Sequence, residues 1–599
     1  MNSLACKNST KLLVKPKTAL MEELGKRYLI EDTSVPSLCL QGMPIVGDAL
    51  ESEFFIPYLV PASVSLKELL RTAERRRGDT LRRIARMAES SGLDTAVAIF
   101  EKTKKEVKQG TMTGPMSCQE VTDMFGKHWN LVPSFGLHQG EDEHGQPKYR
   151  RIDDHTAAWN NLAATRKQKI PMAMIDYVVN MTRELFKSRG KPLHVSTEDM
   201  RGAYRQVPLS DSQTSISVTG VYNPNTKSVE LYLMHGQPFG AGHAVPNFYR
   251  VAEWISRLLI RAFGLVIDHF FDDFFLVSVA QESKTASFCV KEVFGALGFL
   301  LDPEKTQIPS EVSNVLGVVI NTSSLTIQRS LLVEPKPTRK KNLVFTIDKI
   351  LELRELQPTV AASLVGKFGF LCSTMYGKVG RCCTNSIRAR QYSLSGDFSL
   401  SNEIVISLKL MRLFVQTASP RMQFVDPSKP PVILYTDASD VPERDPRFVV
   451  GAVLFDPESN LLQHTSWVVP LEVVNHWLPK ETYMGQLEIL AGPLAISTWS
   501  SILTQRQVIH FVDNDSAAAC LVKGYSSKTD SSGLVGTYWL AVSDCMTEPY
   551  IDRVESKSNL ADGPSRLSFD EVSQLGSTLV TPIVHSLLDP LSSSSHWFF

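Results

Sequence analysis

Two adjacent aspartates, Asp272 and Asp273, interrupt the apolar and aromatic stretch VIDHFFDDFFLVSV. The segments on either side are strand-length and rich in strand formers, so we expect the two acids at or beside a hairpin turn. Aspartate is common in turns, but a tight hairpin favours a following glycine, and none follows here. Neighbouring carboxylates among phenylalanines repel each other and lose solvation unless a cation neutralises them. The pair therefore predicts a metal site, with a plain turn as the simpler alternative. Oxygen ligands suit Mg²⁺, and two such ions about 3.5–4 Å apart can promote displacement at phosphorus.

A second set of acids lies in the last third of the chain. Asp437 ends the strand-like VILYTDAS, Asp513 ends the strand-like HFVDND, and Asp562 lies in SNLADGPSR. An aspartate at a strand end is commonly a turn former. Glu488 is harder to explain, because it shares the helical segment GQLEILA with apolar neighbours. Asp515, just beyond Asp513, is interpreted as a helix cap rather than a ligand.

Strand-like and helical segments alternate between residues 108 and 299. PLHVSTEDM is predicted to be a strand that ends in acids, and ASFCVKEVFGAL is predicted to be a helix that ends before Gly298. Strands flanked by helices predict a two-layer α/β or α+β unit. The predicted buried face of the helix consists of Ala286, Cys289, Val290, Val293 and Leu297.

The flanking regions have different patterns. Upstream, LKELLRTAERRRGDTLRRIARMAES has helical spacing, and its basic residues fit either a solvated helix face or contacts with phosphates. Residues 335–424 are mostly helical, and the proline-rich DPSKPP that follows is predicted to be a linker. After it, the chain has the order βββαβαβ, including a hairpin with its turn at residues 458–460.

The composition is that of a globular protein, with 43% hydrophobic and 21% charged residues. The 599 residues exceed one core and predict about three or four domains. Basic and acidic residues balance at 63 each, so nucleic-acid binding would need local patches. The nine cysteines lack metal-type spacing, which predicts free thiols in a reducing compartment. No apolar run has the length of a membrane span, and the N-terminus lacks an apolar signal core, although organelle import stays open.

Between residues 110 and 320, successive motifs resemble those of the reverse transcriptase palm. In order they are EDMRGAYRQVPL, HGQPFGAGHAVPNF, the aspartate pair, LGFLLDPEKTQIP and NVLGVVI. The ordered combination is more specific than any single motif. The resemblance implies that Asp199 and Asp272 are the main metal ligands and that Asp273 completes the acidic cluster.

The same resemblance implies how a nucleotide would be held. KYRRIDDHTAAWNN is similar to the fingers motif that grips the triphosphate through charge-assisted bonds. Tyr204 stands where the family keeps an aromatic ring beneath the incoming sugar, and Lys305 matches the lysine near the leaving pyrophosphate, with a surface ion pair as its alternative. The implied ligands of the triphosphate are Lys148, Arg150 and Arg151, and the motif behind the nucleotide contains Pro238, Phe239 and Gly240.

The sequence departs from the family pattern at three places: Phe271 precedes the aspartates, Glu198 adds an acid beside Asp199, and the proline after the glycine motif is displaced to Pro246. Further on, SLVGKFGFLCSTMYGKVGRCC resembles the thumb or connection of retrotransposon enzymes. Its basic residues could contact primer–template phosphates or serve the structure. They are Lys367, Lys378 and Arg381.

The order βββαβαβ with its four acids resembles the ribonuclease H fold of retroelements. The resemblance implies that Asp437, Glu488, Asp513 and Asp562 hold two Mg²⁺ ions that position a water for attack on a phosphodiester. Many relatives carry a histidine shortly before the last acid, and RVESKSNLAD has none. This departure predicts slower turnover or help from Lys557.

We therefore expect an α/β and α+β multidomain protein: a palm, fingers and thumb polymerase followed by an RNase H-like domain. The expected segments are an N-terminal extension at 1–95, fingers and palm at 96–335, a helical thumb or connection at 336–425, a linker at 426–431, the RNase H-like domain at 432–575 and a tail at 576–599.

The expected activity is RNA-directed DNA synthesis with cleavage of RNA in RNA–DNA hybrids, of the kind that retrotransposons encode. Two Mg²⁺ ions per site are implied, with Mn²⁺ as a substitute. The expected partners are an RNA template, a DNA primer, RNA–DNA hybrid, deoxynucleoside triphosphates and other retroelement proteins such as a capsid, integrase or recombinase, but no membrane. We expect the protein in the cytoplasm or the nucleus. The alternatives are a domesticated or decayed copy that binds nucleic acid as a scaffold, and a nuclease with an inert polymerase half.

Overall fold

The computed structural model shows a mixed protein with helices and several separate sheets, which confirms the expected fold class. The chain divides into two compact units, Met1–Leu316 and Gly317–Phe599. Part of the predicted linker and most of the predicted tail lie outside the described residues. These are 5–141, 147–172, 174–426, 429–443 and 445–584.

The first unit contains nine helices and thirteen strands among its described residues. The helices are α1 Lys7–Lys11, α2 Thr18–Arg27, α3 Val35–Gln41, α4 Leu66–Ser91, α5 Leu93–Lys108, α6 Cys118–Phe125, α7 Ile175–Arg189, α8 Ala244–Phe263 and α9 Ser283–Leu297. The strands are β1 Gly47–Asp48, β2 Ile56–Val60, β3 Met112–Met116, β4 Leu131–Glu141, β5 Pro147–Asp153, β6 Ala164–Lys169, β7 Leu193–Asp199, β8 Val218–Asn223, β9 Ser228–Met234, β10 Val266–Phe270, β11 Asp273–Val279, β12 Gln307–Ser310 and β13 Val312–Val315.

The second unit contains twelve helices and nine strands among its described residues. The helices are α10 Leu325–Gln328, α11 Pro337–Leu353, α12 Pro358–Cys372, α13 Asn385–Gln391, α14 Asn402–Thr417, α15 Leu471–Val474, α16 Met484–Thr498, α17 Ser500–Leu503, α18 Asp515–Lys523, α19 Thr529–Cys545, α20 Asp562–Ser565 and α21 Asp570–Gln574. The strands are β14 Val318–Asn321, β15 Ser330–Pro335, β16 Arg421–Phe424, β17 Val432–Asp440, β18 Phe448–Asp456, β19 Leu461–Val468, β20 Gln507–Val512, β21 Glu548–Arg553 and β22 Thr578–Leu579.

Two sheets of the first unit carry the predicted polymerase motifs. One has the strand order β10–β11–β7–β12, and its three consecutive pairings are antiparallel. The other has the order β3–β9–β8–β4–β5, and the long helix α4 packs on it. Helices α8 and α9 cover the first sheet, since their apolar faces share one core with the buried side chains of β10 and β11. This arrangement is the expected α/β layering.

Residues between 14 and 43 contribute to that same core. Val14, Met21, Val35 and Met43 are buried against the apolar face of α8. The predicted N-terminal extension is therefore built into the first unit and is not a separate appendage.

The six-stranded sheet of the second unit has the order β21–β20–β17–β18–β19–β22. Strands β17, β18 and β19 pair antiparallel, and β20 and β21 are parallel to β17. Helices α16 and α19 cover the sheet, and helices α11 to α14 share the same apolar core. The chain order is the predicted βββαβαβ with additional short helices.

Candidate functional sites

The adjacent aspartates lie at a hairpin with a two-residue loop. Phe270 is paired opposite Asp273, so Phe271 and Asp272 form the loop between β10 and β11. Phe271 has a φ of +54°, the sign that the first loop position of such hairpins requires. The fully buried ring of His269 donates from Nδ1 to the carbonyl of Phe271 at 3.1 Å. A bulky residue at positive φ is strained, and this contact helps to hold it.

Asp199 reaches the same place from the neighbouring strand. It is the last residue of β7 and lies opposite Asp273 in the antiparallel register. The N–H of Met200 donates to the carbonyl of Asp272 at 2.9 Å, which ties the end of β7 to the loop. Three carboxylates therefore meet at one end of the sheet, as the sequence predicts for this motif set.

The proximity of these carboxylates raises two pKa values. Burial, together with the charges of Asp272 and Asp199, raises the pKa of Asp273 to about 6. Burial and Asp199 also raise the pKa of Asp272, although Lys305 and Arg150 oppose this. Both raised pKa values mean that water stabilises the ionised carboxylates poorly. A divalent cation would stabilise them.

Lys305 supplies the nearest positive charge. Its Nζ lies 2.9 and 3.0 Å from the two carboxylate oxygens of Asp199. Burial alone would lower the pKa of Lys305, but the hydrogen bond and charge of Asp199 outweigh it and raise the pKa. The ammonium group of the lysine thus occupies a position beside the carboxylates that a bound metal ion would also need.

Aromatic rings form the side of the site where a sugar is expected. Tyr204 lies in a short 3₁₀ turn after β7, and its ring makes edge contacts with Phe239 and Phe248 at centroid distances of 4.8 and 4.9 Å. Burial and the charge of Asp272 raise the pKa of its hydroxyl to about 12. Tyr204 is therefore a half-buried, fixed ring close to the carboxylates.

Gly240 lets the predicted nucleotide-backing motif approach β5 closely. Its φ is +92°, and a Cβ there would lie 2.4 Å from the carbonyl oxygen of Asp153. Asn161 donates from Nδ2 to the carbonyl of Gly240 at 3.0 Å. The positive φ and the lack of space both exclude a side chain at this position, which explains why it is a glycine.

The three predicted triphosphate ligands do not all lie on the same face of β5. Lys148 and Arg150 are exposed on β5, and Arg150 is near enough to lower the pKa of Asp272. Arg151 points to the opposite face because side chains alternate along a strand. It is buried, and its guanidinium pairs with Glu106 at 2.9 Å and with Asp153 at 3.2 Å. The structure does not bring Arg151 to the carboxylates, contrary to its predicted role.

The second acidic set converges in the second unit. Ligand oxygens of Asp437 on β17, Glu488 on α16 and Asp513 after β20 lie within 4.8 Å of one another. Asp437 lies inside β17 rather than at its end, because the strand continues to Asp440. Asp562 is not in this set. It pairs with Arg566 at 2.8 Å, yet its charge still raises the pKa of Asp437.

Burial and the charges of neighbouring carboxylates raise the pKa values of Glu488 and Asp437. Burial, followed by the charges of Asp437 and Asp513, raises the pKa of Glu488 to about 9. Burial and the charges of Asp513 and Asp562 raise the pKa of Asp437 to about 7, against the hydrogen bond from Ser565. The buried Oε2 of Glu488 has no hydrogen-bond partner among the described residues. A cluster of carboxylates with an unpaired oxygen is a ligand set that fits Mg²⁺.

Helix α20 reaches Asp437 at a glycine of the sheet. A Cβ on Gly451 would lie 2.3 Å from the backbone nitrogen of Ser565. The hydroxyl of Ser565 donates to one oxygen of Asp437, and Asn559 donates to the other at 3.3 Å. These two side chains orient the carboxylate, and sequence reasoning did not identify them.

Two further predictions have structural outcomes. Asp515 is outside the acidic cluster and pairs with Arg553 at 2.9 Å, but the cap of α18 is Asn514, whose side chain accepts from two backbone N–H groups. Lys378 and Arg381 donate to backbone carbonyls at the end of α18, which favours the structural alternative for both.

Residues 142–320 match the family model described as reverse transcriptase (RNA-dependent DNA polymerase). By this match, the chain carries a domain of the reverse transcriptase family over those residues. The matched segment contains Asp199, Asp272 and Asp273. No curated protein sequence matches the chain.

Solved structures of the foamy viral protease–reverse transcriptase are similar to the chain at low identity. The complex with RNA/DNA hybrid has a TM-score of 0.41 and 11% identity, covering 79% of this chain and 55% of that one. The dRH form with double-stranded DNA has a TM-score of 0.40 and 12% identity, covering 91% and 83%. The chain thus spans about half the length of the first of these proteins.

All nine cysteines are free thiols. Among the described residues, no helix combines the length and the apolar character that crossing a membrane requires.

Proposed function

We propose that the chain is an RNA-directed DNA polymerase that also cleaves the RNA of RNA–DNA hybrids, and that it belongs to a retroelement. The observation that carries the proposal is the meeting of Asp199, Asp272 and Asp273 at one sheet end, inside the segment that matches the reverse transcriptase family. RNA template, DNA primer and deoxynucleoside triphosphates are its proposed ligands. Other retroelement proteins are proposed partners.

In the polymerase site, bound Mg²⁺ would activate the primer 3′-hydroxyl and stabilise the leaving oxygen. Asp199 and Asp272 would hold the metal, and Asp273 would complete the cluster. Lys148 and Arg150 are exposed on β5 and would pair with the triphosphate. Phe239 and Gly240 would back the nucleotide, while Lys305 would leave Asp199 and approach the pyrophosphate.

In the second site, bound Mg²⁺ would position and activate a water molecule for attack on the RNA strand. Asp437, Glu488 and Asp513 offer converging oxygens for it. Asp562 would join them once Arg566 is drawn to a phosphate. Helices α11 to α14, within residues 336–425, share the apolar core of this unit. We propose that this helical segment forms the thumb or connection.

The decayed-scaffold alternative and the inert-polymerase alternative both require the loss of a working site. Both acidic sets are present. Asp199 and Asp273 lie opposite each other on β7 and β11, next to Asp272. Oxygens of Asp437, Glu488 and Asp513 converge, while Asp562 lies outside that group. Primer extension on an RNA template with Mg²⁺ separates the three possibilities, since only the proposed enzyme extends the primer and cuts the hybrid.

The two activities should be separable by substitution. We expect Asp272→Asn to abolish primer extension and to leave hybrid cleavage intact, because it removes a metal-ligating oxygen from one site only. We expect Asp437→Asn to have the reverse effect. Both are measured on one end-labelled RNA template annealed to a DNA primer, which reports extension and cleavage in the same reaction.

Asp515→Asn is the matched control, since Asp515 lies beside the second cluster but outside it. It should retain both activities. Near-normal extension by Asp272→Asn would refute the polymerase assignment. Loss of both activities in either variant, with unchanged thermal unfolding, would instead indicate one shared site.

A further inference from the structure

Strand β7 carries a second buried carboxylate beside Asp199. Glu198 is only 2% exposed, and its side chain lies on the face opposite Asp199 because successive residues of a strand alternate. A buried carboxylate loses solvation and must be compensated by partners. The proposed polymerase mechanism gives Glu198 no role.

The partners of Glu198 come from two elements that follow β7 in the chain. Ser287 on α9 donates to Oε1 at 3.1 Å, and Thr306 donates from Oγ1 to Oε2 at 2.6 Å. Lys291 also lies 3.5 Å from Oε1. Thr306 is the residue directly after Lys305, so Glu198 holds the backbone next to that lysine.

The turn of residues 302–306 is thereby fixed to β7 at both ends. At its start, the N–H of Asp302 donates to the carbonyl of Asp199 at 2.8 Å. At its end, the hydroxyl of Thr306 binds Glu198. The side chain of Lys305 is 59% exposed, so its position depends on where the turn places its backbone and on its bonds to Asp199, rather than on packing.

We propose that Glu198 is a positioning residue that holds the 302–306 turn on β7 and so keeps the Lys305 ammonium at the carboxylate end of the sheet. The two anchors are consecutive residues of β7, and they act on opposite ends of one short turn. The inference rests on the proposed polymerase function, because Lys305 matters only if a nucleotide reacts there.

Kinetics test whether Glu198 acts through Lys305. We expect Glu198→Ala and Thr306→Val each to lower kcat for nucleotide incorporation about tenfold, the scale of one lost hydrogen bond to a charged group, with a smaller change in KM. In a Lys305→Ala background, neither substitution should lower kcat further. An equal loss in that background would overturn the proposal, because it would mean that Glu198 supports Asp199 or the strand itself.

Hydrogen exchange of the metal-free protein tests the turn without any activity. We expect both substitutions to speed exchange of the backbone amides of Asp302, Glu304, Lys305 and Thr306 about tenfold. Thr306→Ser, which keeps the hydroxyl, should restore protection, and Thr226→Val on a distant hairpin should change nothing there. Unchanged exchange in Thr306→Val would overturn the proposal, and this variant carries the test if Glu198→Ala does not fold. If the wild-type chain extends no primer, the proposed function fails, while exchange still decides whether Glu198 holds the turn.

Discussion

Tyr204 is held from two sides by aromatic rings, which fixes the position of its own ring. Its contacts with Phe239 and Phe248 are edge-on, a favourable geometry that leaves the ring few alternative positions. The charge of Asp272 acts on its hydroxyl, so the ring lies close to the loop between β10 and β11. A rigid ring at this place can exclude a ribose 2′-hydroxyl by shape.

We expect Tyr204→Val to retain metal-dependent extension and to admit ribonucleotides at least about tenfold more readily. Crowding a tight site by one hydroxyl costs about 1–3 kcal/mol, which the smaller side chain would relieve. The measurement is the ratio of kcat/KM for a deoxynucleotide and its ribonucleotide. An active variant whose ratio equals that of the wild type would show that the ring is only part of the core. Phe294→Leu, a buried core ring that packs on Phe274 at a centroid distance of 5.0 Å, is the control for loosened packing and should leave the ratio unchanged.

Residue types alone predicted the acids, but they did not predict which charged side chains face inward. Arg151 could have been separated from Arg150 by strand alternation, since the two are neighbours on β5. The buried face of α9 contains Ser287, which hydrophobic spacing cannot identify because it is polar and bound to Glu198. The conformation of Phe271 had no sequence signal, because glycine usually fills such a position.

At the scale of elements, α4 shows why a basic helix is ambiguous in sequence. Arg77 lies over the ring of buried Trp129 at 3.6 Å, and Arg76 lies over Trp159 at 4.6 Å. The outward face of the helix instead carries exposed arginines. These are Arg71, Arg75, Arg82 and Arg86. The inward arginines, Arg76 and Arg77, have a structural role. For the outward arginines, both predictions still apply: a solvated helix face or contacts with phosphates.

Gly78 lies in the middle of α4 and is exposed. A Cβ there would approach only Arg82, at 3.9 Å, so the position has room for a side chain. We expect Gly78→Ala to stabilise the first unit by about 0.5–1 kcal/mol, because glycine loses more backbone entropy in a helix than alanine. The measurement is the free energy of unfolding from denaturant titration.

Gly25→Ala on α2 is the matched control. A Cβ at Gly25 would lie 3.2 Å from the buried ring of Trp254, so the same gain in helix propensity is opposed by crowding. It should give no gain or a loss. A stabilisation of equal size in both variants would show that the local space around these glycines is irrelevant.

For the molecule as a whole, both acidic clusters make stability depend on pH. The pKa values of Asp273, Asp437 and Glu488 are raised to about 6, 7 and 9. At these three groups the folded protein binds more protons than the unfolded chain, so their contribution to stability is lost as pH rises through those values. Buried histidines with lowered pKa values, such as His155 and His235 at about 4, act in the opposite direction below about pH 6.5. A cation that binds the folded state reverses the loss.

We expect the unfolding temperature of the metal-free protein to fall between about pH 7 and pH 9, where the histidines are neutral in both the folded and the unfolded state, and Mg²⁺ to raise it most at the alkaline end. Glu488→Gln should flatten the fall and unfold at a higher temperature than the wild type at pH 8. The exposed Glu472→Gln is the control and should follow the wild type. Equal or lower stability of Glu488→Gln at pH 8 would contradict the expectation.

The pairing of the N-terminal segment with α8 fixes the order in which the first unit can be completed during synthesis. Asp32 forms a buried ion pair with Arg250 at 2.6 Å, across 218 residues of sequence. Contacts of such separation form late, and the segment emerges from the ribosome long before its partner helix. The apolar side chains of this segment therefore remain unburied while most of the first unit is being translated. A nascent chain of this protein should thus depend on chaperone protection until residues beyond α8 have been released.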